Sequence, residues 1–239
     1  MNVGANSVTD SGLYFQWGDT QGYTAAQVGS GSGQKAFTWN DYKYSNNGGS
    51  NATDMTKYNS TDDKTVLETS DDAVTTAWGS NWRMPTTEEF QALEAAVNTA
   101  WTVDYQGSGI NGLLCTDKID SSKKLFFPAA GYCVNGEMNG VSSRGYCWSS
   151  SLYSDSRNNA CRIYFGNNSE SWQSHGYRGY GFSIRGVLDE SKSPMLHKVS
   201  FSGDYNDLNN KPNVLNGVNG KSAYELYTEN TTDNPVKTL

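Results

Sequence analysis

Residues 144–180 contain the residue types that could form a binding surface. No Lys occurs between Lys124 and Lys192, whereas Arg occurs five times in that interval and Tyr and Trp are frequent. Tyr and Trp provide large contact areas at low cost in conformational entropy, and Ser, Gly and Asn provide adaptable hydrogen bonds. Arg is the cation that interfaces favour. The composition fits a ligand-binding surface and equally the polar surface of a β-rich domain.

The alternation of residue types around Arg162 predicts a strand inside this segment. Cys161, Ile163 and Phe165 are expected to face the interior. Arg162 and Tyr164 are expected to face outward, between a preceding and a following loop that together form one patch. The predicted ligand-binding residues are Tyr146, Tyr153, Ser154, Asp155, Ser156, Arg157, Asn158, Arg162, Tyr164, Asn168, Ser169, Trp172, Ser174, His175, Tyr177 and Tyr180.

Residues for catalysis are sparse. The two histidines, His175 and His197, stand at no recognisable spacing from a Ser or Cys nucleophile, and no Gly-x-Ser-x-Gly motif occurs. We therefore expect no catalytic residues, although a fold could still bring such groups together.

Metal and cofactor sites are not expected either. The acid-rich stretch 62–72 lacks the loop spacing of a calcium site and is interpreted as a solvated loop followed by a helix N-terminus. The four Cys residues have no zinc-ligand spacing and predict no disulfide framework, with a single bridge left open. These cysteines are Cys115, Cys133, Cys147 and Cys161.

Length and charge restrict the partners. The 239 residues suffice for one large domain with an appendage. The net charge of −7 argues against nucleic acid, which binds basic surfaces. No apolar run approaches the ~20 residues of a membrane span, so no membrane insertion is expected. Residues 1–6 have neither the basic start nor the apolar region of a signal peptide.

Two helices are predicted. Ser70 is expected to cap a short first helix, which Gly79 ends. Thr86 and Glu89 have the spacing of a capping box for a second helix, with Phe90, Leu93 and Val97 on one face.

Strands are predicted between polar loops, and the stretch 45–60 is interpreted as a surface loop. With the two helices these strands predict an α+β domain over residues 1–189. Residues 190–239 are predicted to be a linker and a poorly packed C-terminal extension. The predicted strands are 13–17, 36–39, 113–115, 125–130, 146–151, 162–165 and 181–187.

Several motifs resemble one family. Residues 78–90, Trp-Gly-Ser-Asn-Trp-Arg-Met-Pro-Thr-Thr-Glu-Glu-Phe, are similar to the helix-leading motif of the Fibrobacter succinogenes major paralogous domain and of formylglycine-generating-enzyme-like proteins. Phe-Pro-Ala-Ala-Gly-Tyr, Trp-Ser-Ser-Ser and Gly-Phe-Ser-Ile-Arg-Gly-Val follow in the order that family uses. The resemblance implies a C-type-lectin-like fold, with two helices and short, mostly antiparallel strands.

The enzymes of that family use reactive Cys close to the final strand. In this sequence Ser183 and Gly186 stand there, and no Cys follows Cys161. The resemblance therefore implies a binding protein rather than an enzyme, and no cofactor.

Two further resemblances suggest a biological setting. Residues 144–180 resemble the variable region of proteins diversified by retroelements, and residues 199–212 resemble a motif of phage tail-fibre proteins. They imply a hypervariable receptor-binding protein on the virion, which binds a host cell-surface protein or glycan. Fibre proteins are often trimers, so the expected assembly partners are other fibre subunits in a homotrimer. The alternatives are a bacterial surface adhesin and a formylglycine-generating-type enzyme.

Overall fold

The computed structural model describes residues 1–189 and residue 191. The predicted linker and extension over residues 190–239 therefore lie, apart from Ser191, outside the described residues. In the described part no helix is long and apolar enough to cross a membrane.

The predicted fold class, α+β of the C-type-lectin-like type, is wrong. Strands hold 35% of the residues and helical turns of all kinds hold 17%, and the strands form several small sheets. The two α-helices are α1 (Ala73–Trp78) and α2 (Thr87–Ala96), of 6 and 10 residues. The reason is that some stretches interpreted as loop or as helix form strands instead, and these strands pair with neighbouring strands.

Twelve strands are formed by the described residues. They are β1 (Tyr14–Phe15), β2 (Trp82–Arg83), β3 (Val97–Thr102), β4 (Gly112–Asp117), β5 (Lys124–Pro128), β6 (Tyr132–Val134), β7 (Glu137–Asn139), β8 (Arg144–Leu152), β9 (Asn159–Gly166), β10 (Ser169–Tyr177), β11 (Phe182–Ile184) and β12 (Val187–Leu188).

The largest sheet has the strand order β1-β11-β8-β9-β10. Strands β8, β9 and β10 form an antiparallel meander, and β11 lies parallel to β8. A second antiparallel sheet has the order β3-β4-β5, and two strand pairs, β6-β7 and β2-β12, complete the domain.

The core lies on both faces of the large sheet, which is why every residue of β8 except Arg144 is buried. On one face Trp148 packs with Phe182 and with Val74 of α1. On the other face Ile163 and Phe165 pack with Phe90 of α2. The inward orientation predicted for Ile163 and Phe165 is confirmed.

The first helix is capped by a different residue from the one predicted. Asp72, not Ser70, is the N-cap, and one oxygen of its carboxylate accepts hydrogen bonds from the backbone N–H groups of Val74 and Thr75. Its other oxygen accepts from the N–H of Met84 at 2.8 Å, which ties α1 to β2. Gly79 ends the helix, as predicted, with a φ of 89°.

The second helix begins as predicted and ends one residue early. Thr86 accepts from the N–H of Glu89, and the Glu89 carboxylate accepts in return from the N–H of Thr86. Val97 does not continue the helix; it begins β3, where the β-branched residues of 97–102 pair with β4.

The other predicted strands form at 113–115, 125–130, 146–151 and 162–165 with shifted ends, and 181–187 divides into β11 and β12. Residues 13–17 form only the two-residue strand β1. Residues 36–39 form no strand, because Phe37 has a φ of 56° and the Asp41 carboxylate accepts the N–H groups of this turn.

A fully buried cation joins the N-terminal loops to the sheet. Arg178, in the turn between β10 and β11, is 0% exposed and donates to the hydroxyl of Tyr42 and the carbonyl oxygens of Lys57, Tyr58 and Arg157. Its guanidinium also lies within 6 Å of four aromatic ring centres. The predicted surface loop 45–60 is therefore anchored internally, with Tyr58 buried.

Replacing Arg178 should destabilise the domain strongly. Arg178→Ala leaves the carbonyl oxygens of Lys57, Tyr58 and Arg157 without this donor, at ~1–3 kcal/mol for each unsatisfied buried group, so we expect a total loss of at least ~3 kcal/mol. Lys123→Ala is the control, because that side chain is largely exposed and its ion pair with Asp120 should contribute no more than ~1 kcal/mol. Urea unfolding of both variants tests this, and equal losses would contradict it.

The acid-rich stretch 62–72 leads into a helix N-terminus, as predicted, because Asp72 is the N-cap of α1. The prediction that the loop before the helix is solvated does not hold for Asp71, which is buried. The Asp71 carboxylate accepts from Lys57 Nζ and from the Tyr58 hydroxyl, both at 2.5 Å. Burial acts to raise the pKa of Asp71, but the hydrogen bonds from Lys57, Tyr44 and Tyr58 outweigh it and lower the pKa to about 2.

Because the folded-state pKa of Asp71 is depressed, its stabilisation is present above the unfolded value of 3.8 and is lost as the pH falls towards 2. We expect the wild-type chain to be more stable than Asp71→Asn at pH 6. This difference in stability should decrease between pH 4 and pH 2. Thermal unfolding across this range measures it. A difference in stability that does not change with pH would show that the charge of the Asp71 carboxylate is unimportant.

Candidate functional site: an aromatic cleft around Arg162

A cleft of about 370 Å³ opens on the face of the large sheet opposite α2. We call it the Arg162 cleft. Its aromatic walls surround one cation, and no carboxylate lines it. The lining residues are Tyr132, Tyr146, Asn159, Arg162, His175, Gly176, Tyr177, Tyr180 and Phe182.

Strand pairing assembles the cleft. Tyr146 of β8 lies directly opposite Tyr164 of β9, and their ring centres are 5.2 Å apart. Tyr132 of β6 packs edge-on against Tyr146 at 5.1 Å, and Phe182 of β11 stacks on Tyr146 at 5.0 Å. Tyr180, in the turn before β11, completes the wall at 6.2 Å from Tyr132.

The guanidinium of Arg162 is held between these rings. It lies 4.6 Å from the ring centre of Tyr146 and 5.1 Å from that of Phe182. Its Nε donates to the carbonyl oxygen of His175 at 2.9 Å, whereas Nη1 is buried without a hydrogen-bond partner. Burial lowers the pKa of Arg162 to about 10, so the side chain is still charged at neutral pH. Within residues 1–189 no carboxylate forms an ion pair with it.

A second cleft, of about 260 Å³, adjoins the first and shares Tyr180 with it. We call it the Trp39 cleft; Phe37, Trp39 and Asn135 contribute to its lining. The rings of Trp39 and Tyr177 are 5.9 Å apart, and Tyr177 lies 5.5 Å from Tyr180. A continuous row of aromatic side chains thus connects the two clefts.

Five of the predicted binding residues line the Arg162 cleft: Tyr146, Arg162, His175, Tyr177 and Tyr180. Tyr164 borders it, with its ring 5.9 Å from the Arg162 guanidinium. Ser174 lies opposite Arg162 in the pairing of β9 with β10.

The predicted loop 153–158 lies beside the cleft and is largely occupied with internal contacts. The ring of Tyr153 stacks on that of His175 at 4.0 Å. Asp155 accepts from the hydroxyls of Tyr153 and Ser154. The hydroxyl of Ser156 donates to the side-chain oxygen of Asn158, whose amide donates to the carbonyl oxygen of Ser50. Arg157 donates to the Asp63 carboxylate and to the carbonyl oxygen of Asn59.

The segment after β9 was predicted to be a loop and is the strand β10, joined to β9 by a tight hairpin. Asn168 and Ser169 lie at this hairpin and are exposed; neither lines the cleft, although Ser169 Oγ is 3.2 Å from the Tyr164 hydroxyl. Pairing with β9 therefore determines where the predicted binding residues of 169–177 lie.

The prediction that Trp172 lies on the exposed surface is wrong. Trp172 is 3% exposed and packs with Phe90 and Phe127 on the α2 side of the sheet. The register of β10 against β9 shifts between Ser171 and Ser174, so an irregularity in the pairing accompanies this residue.

The sequence interpretation missed four lining residues of the Arg162 cleft: Tyr132, Asn159, Gly176 and Phe182. Tyr132 and Phe182 belong to the motifs that carried the family resemblance and lie outside the segment 144–180 that supplied the predicted binding residues. Trp39 lies more than 90 residues from the predicted binding segment in the sequence, and no local signal connects it to that segment.

The potentially reactive side chains beside the cleft are engaged in other contacts. Cys161 and His175 are paired across β9 and β10, but Cys161 Sγ donates to the carbonyl oxygen of Leu152 and the His175 ring stacks on Tyr153. Burial raises the pKa of the Cys161 thiol and outweighs the hydrogen bond with Thr87, which lowers it, so the thiol form is favoured. All four Cys are free, and no group of three or more His, Cys, Asp or Glu in the described range could hold a metal ion.

No family model, curated protein or solved structure matches the chain.

Trp172 should contribute much more to stability than Tyr177. Trp172→Ala removes a buried ring, so we expect a loss of ~3–5 kcal/mol in the free energy of unfolding. Tyr177→Ala removes a ring that is 45% exposed and touches Trp39 and Tyr180 at their edges, and the expected loss is about 1 kcal/mol. Urea unfolding compares the two, and a small effect of Trp172→Ala would contradict the observed packing.

Proposed function

We propose that the chain is a receptor-binding protein that attaches to a ligand on the surface of a host cell through the Arg162 cleft and the aromatic row beside it. The observation that carries this proposal is the cleft itself, in which aromatic side chains surround a guanidinium that lacks an acidic partner. Its volume of about 370 Å³ falls within the ~300–1,000 Å³ of ligand sites, which are lined by aromatic groups with few polar ones.

The residue types support binding rather than structure alone. Tyr and Arg dominate the hot spots of binding surfaces, because they combine large contact areas with hydrogen-bonding groups. Tyr177 leaves a substantial part of its ring exposed at the rim of the Arg162 cleft, beside Trp39. A rigid sheet underneath holds these side chains in place before a ligand arrives, which lowers the entropic cost of binding.

The cellular setting rests on the resemblances in the sequence. The phage tail-fibre setting, on the virion and with other fibre subunits as partners, rests on the motif in residues 199–212. A bacterial surface adhesin would use the same site. We infer binding without catalysis, because burial raises the pKa values of the Cys115 and Cys147 thiols to about 12 and also raises that of Cys161.

Loss of the Tyr177 ring should weaken attachment without unfolding the domain. We expect Tyr177→Ala to lose at least ~2 kcal/mol of binding free energy, the size of a hot-spot effect. Binding of the labelled full chain to a panel of bacterial strains measures this. Tyr105→Ala is the matched control, since Tyr105 stacks on Phe126 and lines neither cleft. The proposal would be contradicted if the wild-type chain bound no strain of the panel, or if both variants bound equally well.

A further inference from the structure

We propose that the ligand is a sugar chain carrying a carboxylate, with the acidic sugar in the Arg162 cleft and the next sugar unit in the Trp39 cleft. This inference rests on the proposed function and adds to it the chemical class of the ligand and the way the ligand is divided between two subsites.

The charge of the ligand follows from Arg162. A guanidinium is a permanent cation whose N–H groups bind carboxylates well. Nε of Arg162 is already bonded to a carbonyl oxygen and Nη1 is buried without a partner, so the attraction for an anion rests on a charge that no carboxylate of residues 1–189 neutralises. The protein as a whole has a net charge of −7, so the attraction for an anion is local to this cleft.

A carboxylate fits this cleft better than a phosphate does. Arg162 is the one Arg or Lys among the described lining residues. A phosphate monoester carries close to two negative charges at neutral pH and is typically held by clusters of Arg or Lys. One guanidinium in an aromatic enclosure matches the single charge of a carboxylate.

The rings of the cleft indicate a sugar. A pyranose ring has apolar faces of C–H groups and a periphery of hydroxyl groups. The faces of aromatic rings carry negative charge density that attracts such C–H groups. The rings of Tyr132, Tyr177 and Tyr180 are partly exposed in the cleft wall, and their hydroxyls provide partners for the periphery. No aliphatic side chain lines the cleft in the part of the chain described, whereas pockets for the apolar side chains of peptides commonly contain them.

The length of the ligand follows from the second cleft. Tyr180 belongs to both linings, and Trp39 lies on the far side of it, next to Tyr177. With volumes of about 370 and 260 Å³, each cleft is large enough for a sugar ring. A disaccharide would therefore bind with one ring on either side of Tyr180.

The test uses the full chain and an array of oligosaccharides that contain uronic or nonulosonic acids. Each acidic sugar is paired with its carboxyl-reduced form, and peptides ending in a free carboxylate are included. We expect binding to at least one acidic sugar and a loss of at least tenfold when its carboxylate is reduced. The two kinds of acid on the array identify which sugar supplies the carboxylate.

Two variants test the two subsites. Arg162→Gln should abolish the preference for the acidic sugar over its reduced form, whereas Lys123→Gln, which removes a charge from an exposed side chain away from both clefts, should keep it. Trp39→Ala should weaken the disaccharide at least tenfold and leave the acidic monosaccharide unchanged. The wild-type comparison with carboxyl-reduced sugars decides the question even if Arg162→Gln fails to fold.

Different failures have different meanings. Equal binding of acidic and reduced sugars would contradict the inference that the ligand carries a carboxylate. Binding of the peptides alone would contradict the inference that the ligand is a sugar. Binding to cells that depends on Tyr177, with no sugar bound, overturns this inference and leaves the proposed function standing. Absence of binding to both cells and sugars overturns both.

Discussion

The buried guanidinium of Arg178 is the contact through which the N-terminal loops and the large sheet hold each other. Because carbonyl oxygens and one hydroxyl accept from it while aromatic rings cover it, the charge is satisfied without an acidic partner. Tyr177 immediately precedes it and Tyr180 follows two residues later, so fixing Arg178 inside the domain fixes the turn that carries both cleft residues. The backbone reinforces this, since the N–H of Trp17 donates to the Arg178 carbonyl oxygen and the Gln16 amide to that of Gly179.

Three arginines lie against aromatic rings, and their hydrogen bonds distinguish their roles. The donors of Arg178 are used internally. Arg185 is also buried, over the ring of Phe127, with Nε and Nη1 unpartnered, but it lines neither aromatic cleft. Arg162 combines an unpartnered Nη1 with a place in the wall of an open cleft. An unpartnered guanidinium nitrogen suggests ligand binding at Arg162 and not at Arg185, because only Arg162 lines an aromatic cleft that a ligand can enter.

What could be predicted from the sequence was decided by short-range interactions. The capping box of Thr86 and Glu89 and the terminating Gly79 lie within a few residues of the helices that they delimit, and both were found as predicted. The fold class failed because β3 and β10 owe their existence to partner strands, which local patterns do not reveal. Trp172 was misplaced for a related reason: strand register and its irregularities decide which face a residue occupies. The cleft residues Trp39 and Tyr132 come from segments outside 144–180, more than 100 residues away in the case of Trp39, so only the tertiary structure brings them to the site.

The alternation of β9 separates the two tasks of the large sheet. Ile163 and Phe165 face α2 and pack in the core on that side, whereas Arg162 and Tyr164 face the cleft. Because successive side chains of a strand point to opposite faces, substitutions at Arg162 and Tyr164 leave the packing against α2 in place. Tyr146 and Phe182 also line the cleft, but they belong to the core on that face. Ligand preference could then change at Arg162, Tyr164 or Tyr177 while the packing against Phe90 and Trp172 stays intact. The limit on such change is Arg178, which belongs to the same segment but whose loss would release the turn that positions the cleft.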